Sequence, residues 1–194
     1  MEIRIKTIEE IKDIINREND GNAQIMVIPD KIDFPFPELY KEIVTKYSKL
    51  DISPFCGLFS LLKSIDITNN IYNKNWNMEE KEKIKNYWFI GDGYSYDYWI
   101  IDKMGNMNYW KTEYKKQYEL EKIINIKMDF EQWLKFAYID KETGKELEKV
   151  SDSGYDEVIY EPLCNEIKDN YLEMVKIFSN ELYDIIIKLK HYKY

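Results

Sequence analysis

YWFIGDGYSYDYWIIDKMGNMNYWKT, residues Tyr87 to Thr112, is the stretch whose reading decides the fold. It divides into three short runs. Tyr87 to Ile90 is apolar and aromatic and is broken by Gly91-Asp92-Gly93. Tyr96 to Ile101 is aromatic and β-branched and is broken by Lys103-Met104-Gly105-Asn106. Met107 to Trp110 follows. Aromatic and β-branched side chains fit a pleated, half-buried surface, while Gly, Asn and Asp supply turn geometry. The spacing predicts three antiparallel strands in a meander at the centre of a sheet. Side chains alternate across a strand, so Tyr96, Tyr98 and Ile100 share one face and Asp97, Trp99 and Ile101 the other. Both faces carry large apolar groups, so both are expected to be covered.

Outward from the meander, amphipathic helices are expected on both sides. Thr7-Ile8-Glu9-Glu10 forms a capping box ahead of Ile8, Ile11, Ile14 and Ile15 at helical spacing, with Gly21 as the stop. Ile25 to Ile28 reads as a brief strand or an extended pass. Pro37 opens a second helix with a stripe of Leu39, Tyr40, Ile43, Val44 and Tyr47. Gly57 to Leu62 reads as a strand, with Ser64 capping a helix over Ile65 to Ile71. Asn77 caps a charged helix over Met78 to Lys85. Ile123-Ile124 suggests a final edge strand, and Asp129 caps a helix carrying Phe130, Trp133, Leu134, Ala137 and Tyr138. Thr143 to Tyr160 is charged, holds Gly144 and Gly154 and has little periodicity, which predicts a linker or loop. Ile167, Tyr171, Met174, Val175, Phe178, Leu182, Ile185, Ile186 and Leu189 then mark one long amphipathic helix.

At 194 residues with 44% hydrophobic side chains, the chain is long enough to bury a sizeable core. Its 17 Tyr are many, but heavy use of Ile, Lys, Asn and Tyr is also what an A/T-rich genome encodes, so part of that excess needs no functional reason. No apolar run approaches the roughly 20 residues that span a bilayer. The start, MEIRIKTIEEIKDII, has acids along its length and no apolar core followed by small residues, and does not read as a signal peptide. Cys56 and Cys164, far apart, read as reduced thiols of a cytoplasmic protein. The net charge of −8 is uneven. Residues 129 to 184 carry 6 basic and 15 acidic groups. A nucleic-acid binder needs a basic footprint that this chain lacks, whereas a basic protein partner suits it.

The chemistry-bearing residues are few. His191, the one histidine, falls at the end of a helix, where a solvated role is expected. With two distant Cys and one His, a zinc site has too few of its usual ligands, and no phosphate-cradling glycine loop is present. Asp92, Asp97 and Asp102 form the closest approach to a carboxylate cluster. Read as an enzyme, Asp92 and Asp97 would be the acid and base of a glycosidase-like hydrolase. Read structurally, Asp92 and Asp102 sit at strand ends and bond turn amides. The structural reading is taken here, with no catalytic, cofactor-binding or metal residue assigned. Trp88, Trp99 and Tyr109 are assigned to the core. Tyr94, Tyr96 and Trp110, near turns or strand ends, are the candidates for binding a partner, with Asp97 and Glu113 as charged companions.

The order of these features resembles that of the SUKH superfamily, the Smi/Knr group. Four places carry the resemblance: Pro37-Glu38-Leu39-Tyr40-Lys41-Glu42-Ile43; Leu58 to Ile71; Phe89-Ile90-Gly91-Asp92-Gly93 through Asp97 to Asp102; and Asp129-Phe130-Glu131-Gln132-Trp133-Leu134. It departs where the family has Asn-Gly-Gly after the second helix and this chain has Ser48-Lys49-Leu50. It departs again where a Gly precedes the second signature Asp and this chain has Tyr96. The resemblance implies an α+β fold, a mixed and largely antiparallel sheet with helices against it, and no enzymatic activity. It further implies a bacterial immunity protein that binds and neutralises a cognate toxin, often a nuclease, or a scaffold for an endogenous partner, as in eukaryotic relatives. The expected organisation is a SUKH-like domain over 1–142, a charged loop or linker over 143–164 and a C-terminal amphipathic helix over 165–194 packed on the same domain.

Overall fold

A computed structural model describes residues 3–19, 26–47, 50–53, 55–94, 96–112, 118–154 and 157–189. Gly21, Glu113 and His191 lie outside them. The architecture is α+β: a six-stranded sheet in which strands adjacent in sequence are neighbours in space and every pairing is antiparallel. Among the described residues the sheet is therefore antiparallel throughout rather than mixed. The strands are β1 (Leu50–Asp51), β2 (Gly57–Leu58), β3 (Tyr87–Asp92), β4 (Tyr98–Asp102), β5 (Asn106–Trp110) and β6 (Ile123–Asp129). The expected meander is β3–β4–β5 at the centre. Ile123-Ile124 open the edge strand β6, which runs on to the Asp129 cap.

Alternation along the meander sorts the core into two layers. Trp88, Ile90, Trp99, Ile101, Met107 and Tyr109 join a large cluster on one face. Phe89, Ile100 and Trp110 join a smaller one on the other face, with Ile71 and Ile84. On the first face pack α1 (Ile8–Glu18), α2 (Glu38–Lys46), α5 (Phe130–Asp152), α6 (Glu157–Phe178) and α7 (Asn180–Leu189). On the second pack α4 (Met78–Ile84) and α3 (Leu61–Tyr72), whose first turn, through Leu61 and Ile65, also reaches the first layer. Trp99 anchors the larger layer, its ring 4.8 Å from that of Tyr109 and 5.7 Å from that of Trp133. Its indole N–H donates to the Phe55 carbonyl at 2.8 Å, so the polar end of this fully buried ring is satisfied.

The caps explain most helix starts. Thr7, Asn77 and Asp129 each form a full capping box, with Glu10, Glu80 and Gln132 reaching back. The start of α3 is a correction. Its cap is Ser60, which accepts from the Lys63 amide at 3.1 Å, so the strand expected over Gly57 to Leu62 ends at Leu58. Ser64 lies inside the helix, fully buried, where it accepts from the Trp88 indole at 2.6 Å, meets the Tyr40 hydroxyl at 3.2 Å and donates to the Phe89 carbonyl. One turn on, Thr68 accepts from the Phe89 amide at 3.1 Å, and a further turn on Tyr72 donates to the Tyr87 carbonyl. On β3 the two-residue β2 pairs only with Gly91 and Asp92; the Phe59 amide takes the Ile90 carbonyl at 2.8 Å, and three hydroxyls spaced four residues apart bond Phe89 and Tyr87 further along the edge.

Two further expectations are corrected. The loop or linker expected over 143–164 is mostly helix: α5 runs to Asp152 and α6 begins at Glu157. Lys, Glu and Leu favour helix strongly enough to carry the one Gly144, which costs about 1 kcal/mol, and Thr143 and Leu147 are buried. The single C-terminal helix is two. Ser179 interrupts it and caps α7, accepting from the Leu182 amide at 3.0 Å. Both helices pack on the domain, α6 against α5 and α7 against β6. Residues Met26 to Ile28 form an extended pass rather than a strand, with the Met26 amide bonded to the Thr45 carbonyl at 2.8 Å.

Candidate functional site: the β3–β4 turn

The turn between β3 and β4 is shaped by its own sequence. The Gly93 amide donates to the Asp97 carbonyl at 2.9 Å, and the Asp97 amide to the Tyr94 carbonyl at 3.2 Å. Gly93 is required by close approach. A Cβ there would sit 2.7 Å from Cε2 of Tyr109, whose ring lies directly beneath the turn. Beyond the end of β5, Thr112 grips the same loop twice. Its hydroxyl donates to the Tyr96 carbonyl at 2.6 Å, and its amide to Oδ1 of Asp97 at 2.7 Å. The Tyr109 hydroxyl donates to Oδ2 of Asp97 at 2.6 Å.

Asp97 is therefore a buried clamp, 4% exposed, holding β4 to the end of β5. Burial pushes its carboxyl above the usual range, and the Tyr109 hydroxyl and Thr112 amide pull the other way. Burial and the neighbouring Asp97 charge push the Tyr109 phenol far up, so it stays a donor at any physiological pH. Above this clamp stand Tyr94 and Tyr96, 47% and 48% exposed. The result is a turn held from below at Gly93, Tyr96 and Asp97 that presents two aromatic side chains with polar tips.

The residues singled out from sequence are thus split. Tyr94 and Tyr96 share one exposed turn. Asp97 lies directly under them as structure rather than as a charged companion at the surface. Trp110 is fully buried in the smaller core layer, its indole N–H donating to the Glu119 carbonyl at 2.9 Å, so its polar end is not wet. Glu113 lies outside the described residues. Trp88, Trp99 and Tyr109 are core, as expected.

The three carboxylates each serve a local role. Oδ1 of Asp102 accepts from the amides of Met104 and Asn106, both at 2.9 Å, closing the β4–β5 turn as expected of a strand-end Asp. Among the described residues no turn amide bonds Asp92; its carboxylate faces Lys63 at 3.7 Å. Among the described residues no three His, Cys, Asp or Glu side chains converge in a way that could hold a metal ion. Cys56 and Cys164 are both buried and unbridged. No helix of the described chain is long and apolar enough to cross a membrane.

Compared with known proteins, the chain matches no family model, no curated protein and no solved structure.

Proposed function

We propose that this chain is a non-enzymatic, protein-binding immunity module that neutralises a cognate toxin by direct contact. The observation that carries the reading is the β3–β4 turn. Binding costs less when a loop is already held in one conformation, and Tyr is among the residues that dominate interface energy. Here Thr112 holds Tyr96 and Asp97 in place while Tyr94 and Tyr96 remain half exposed. The net charge of −8 favours a basic partner, through steering and complementarity. The resemblance of Phe89 to Asp102 and of three other segments to the SUKH superfamily supports immunity over other binding roles. The local engagement of Asp92, Asp97 and Asp102 supports a reading without catalysis.

Co-expression with the polypeptide encoded beside this gene, followed by pull-down and a growth-rescue assay, tests it. A stable complex with restored growth is expected. Replacing both Tyr94 and Tyr96 by Ala is expected to weaken the complex by about tenfold or more, as for a pair of aromatic anchors. Unrelieved toxicity with no complex would overturn the toxin reading. Capture of an endogenous protein instead, through the same two tyrosines, would assign the chain to scaffolding.

A further inference from the structure

Helix α6 is apolar over a wider arc than the domain covers. Its buried stripe is Cys164, Tyr171 and Val175, seated on α5, where the Tyr171 hydroxyl donates to Oδ1 of Asp140 at 2.8 Å. Beside it runs a second stripe, Leu163, Ile167, Met174 and Ile177, spaced by four, seven and three residues and so aligned on one helix face. The first three are half-buried, but Ile177 is 72% exposed. Together with Ile3 this second stripe floors a groove of about 490 Å³. Leu163 to Ile177 is fourteen helical steps, about 21 Å at 1.5 Å each, which matches roughly four turns of a partner helix.

The charge along the groove has one sign. Glu146, Glu166 and Glu173 line it, and among the described residues no Lys or Arg does. Glu146 is paired with Lys149 at 2.7 Å, so the acid character at the rim comes mainly from α6 itself. The surrounding segment, residues 129 to 184, is the strongly acidic part of the chain. A second copy of this chain would set one acidic rim against another, which like-charge repulsion disfavours.

We infer that the α6 groove receives a basic amphipathic helix of the bound protein, with apolar side chains on the Leu163–Ile177 stripe and Lys or Arg against Glu166 and Glu173. The inference rests on the reading of the chain as a protein-binding module and adds to it a second surface, distinct in sequence from the tyrosine turn. An apolar seam gripped at helical spacing and rimmed by complementary charge is a recurring mode of peptide recognition.

The test uses the full chain and a fluorescein-labelled 18-residue peptide. The peptide has Leu at every third or fourth position and Lys or Arg elsewhere. A second peptide of the same composition has its order scrambled. Fluorescence anisotropy is expected to show the patterned peptide binding about tenfold tighter than the scrambled one, the equivalent of one buried aliphatic side chain. Ile177→Ser, at an exposed position, is expected to remove most of that difference. Glu166→Gln with Glu173→Gln is expected to flatten the dependence of affinity on salt. Equal binding of the two peptides, or indifference to both sets of substitutions, would overturn the inference. Concentration-dependent self-association abolished by Ile177→Ser would assign the groove to a second copy and also overturn it. If toxin rescue and complex formation survive while the patterned peptide fails, only the groove is lost. Failure of the co-expression assay instead strikes the underlying reading.

Discussion

Removing the Asp97 carboxylate should loosen the centre of the molecule as well as its exposed turn. In Asp97→Ala, the Tyr109 hydroxyl and the Thr112 amide lose their acceptor together, at 2.6 and 2.7 Å in the native protein. A hydrogen bond to a charged group contributes roughly 1.5–3 kcal/mol, so two amount to about 3–6 kcal/mol before any offset. The offset is the carboxylate's own burial, which pushes its pKa upward and so is not fully repaid by the two donors. The net cost should therefore fall near the lower end, about 3 kcal/mol. For a chain of this size that corresponds to a fall in Tm of roughly 6–12 °C. Urea titration followed by tryptophan fluorescence should show a lower midpoint with an unchanged slope. Tyr109→Phe should be non-additive with Asp97→Ala by at least about 1 kcal/mol, because the two share one bond. A cost under about 1 kcal/mol for Asp97→Ala, or strict additivity in the cycle, would refute the clamp. The pH dependence adds a sign. The folded pKa of Asp97 is raised, so its proton stabilises the fold fully below the unfolded carboxylate range, and that contribution fades as pH rises through the folded value. Wild type should accordingly gain on Asp97→Asn as the pH is lowered through that window.

Three further outcomes follow from the packing. Ser64→Ala should cost about 2–4 kcal/mol in chemical denaturation, since the buried Trp88 indole and Phe89 carbonyl both lose their partner; a loss under about 1 kcal/mol would contradict that role. Two cross-strand glycines should differ sharply. A Cβ on Gly91 would fall 2.0 Å from the Gly57 carbonyl oxygen, so Gly91→Ala must part β2 from β3 and should cost more than about 2 kcal/mol. A Cβ on Gly57 would meet Oδ1 of the half-exposed Asp92, a tip that can swing away, so Gly57→Ala should cost under about 1 kcal/mol by the same assay. In NMR titration Glu10 should ionise with a pKa of about 2, held down chiefly by the Arg4 guanidinium and by the Thr7 amide. Its contribution is present above the ordinary glutamate range and is lost as the pH falls toward that value, and Arg4→Ala should move the titration back up.

Much of this fold is legible in the residues, and where it is not the physical reason can be named. The meander is readable because aromatic density and the Gly-Asp-Gly and Met-Gly-Asn breaks agree with one another. Ser60 and Ser64 both precede apolar residues, and only the buried partners of Ser64 decide which of them caps α3. Residues 143 to 152 look like a loop because burial is confined to Thr143 and Leu147, too few positions to show a period. The break at Ser179 is hidden because the apolar stripe continues through it from Val175 to Leu182. In the candidate site, alternation already puts Asp97 on the same face as Trp99 and Ile101, so its burial could be read from its position. Trp110 sits at a strand end, but its ring points into the layer formed with Phe89 and Ile100, which strand position alone does not reveal. The α6 groove is missed because its stripe merges with the buried one, and only packing shows which half remains uncovered.

The hydroxyls of Ser64, Thr68 and Tyr72 have a consequence for how the chain assembles. An unpaired strand edge invites a strand from another molecule, and Tyr87 to Ile90 is aromatic and apolar throughout. Helix α3 stands in for the missing neighbour by saturating the Phe89 amide and carbonyl and the Tyr87 carbonyl. Because α3 precedes β3 in sequence, the guard leaves the ribosome before the edge that it guards. The residues that cover this edge are thus synthesised ahead of it, within the same polypeptide.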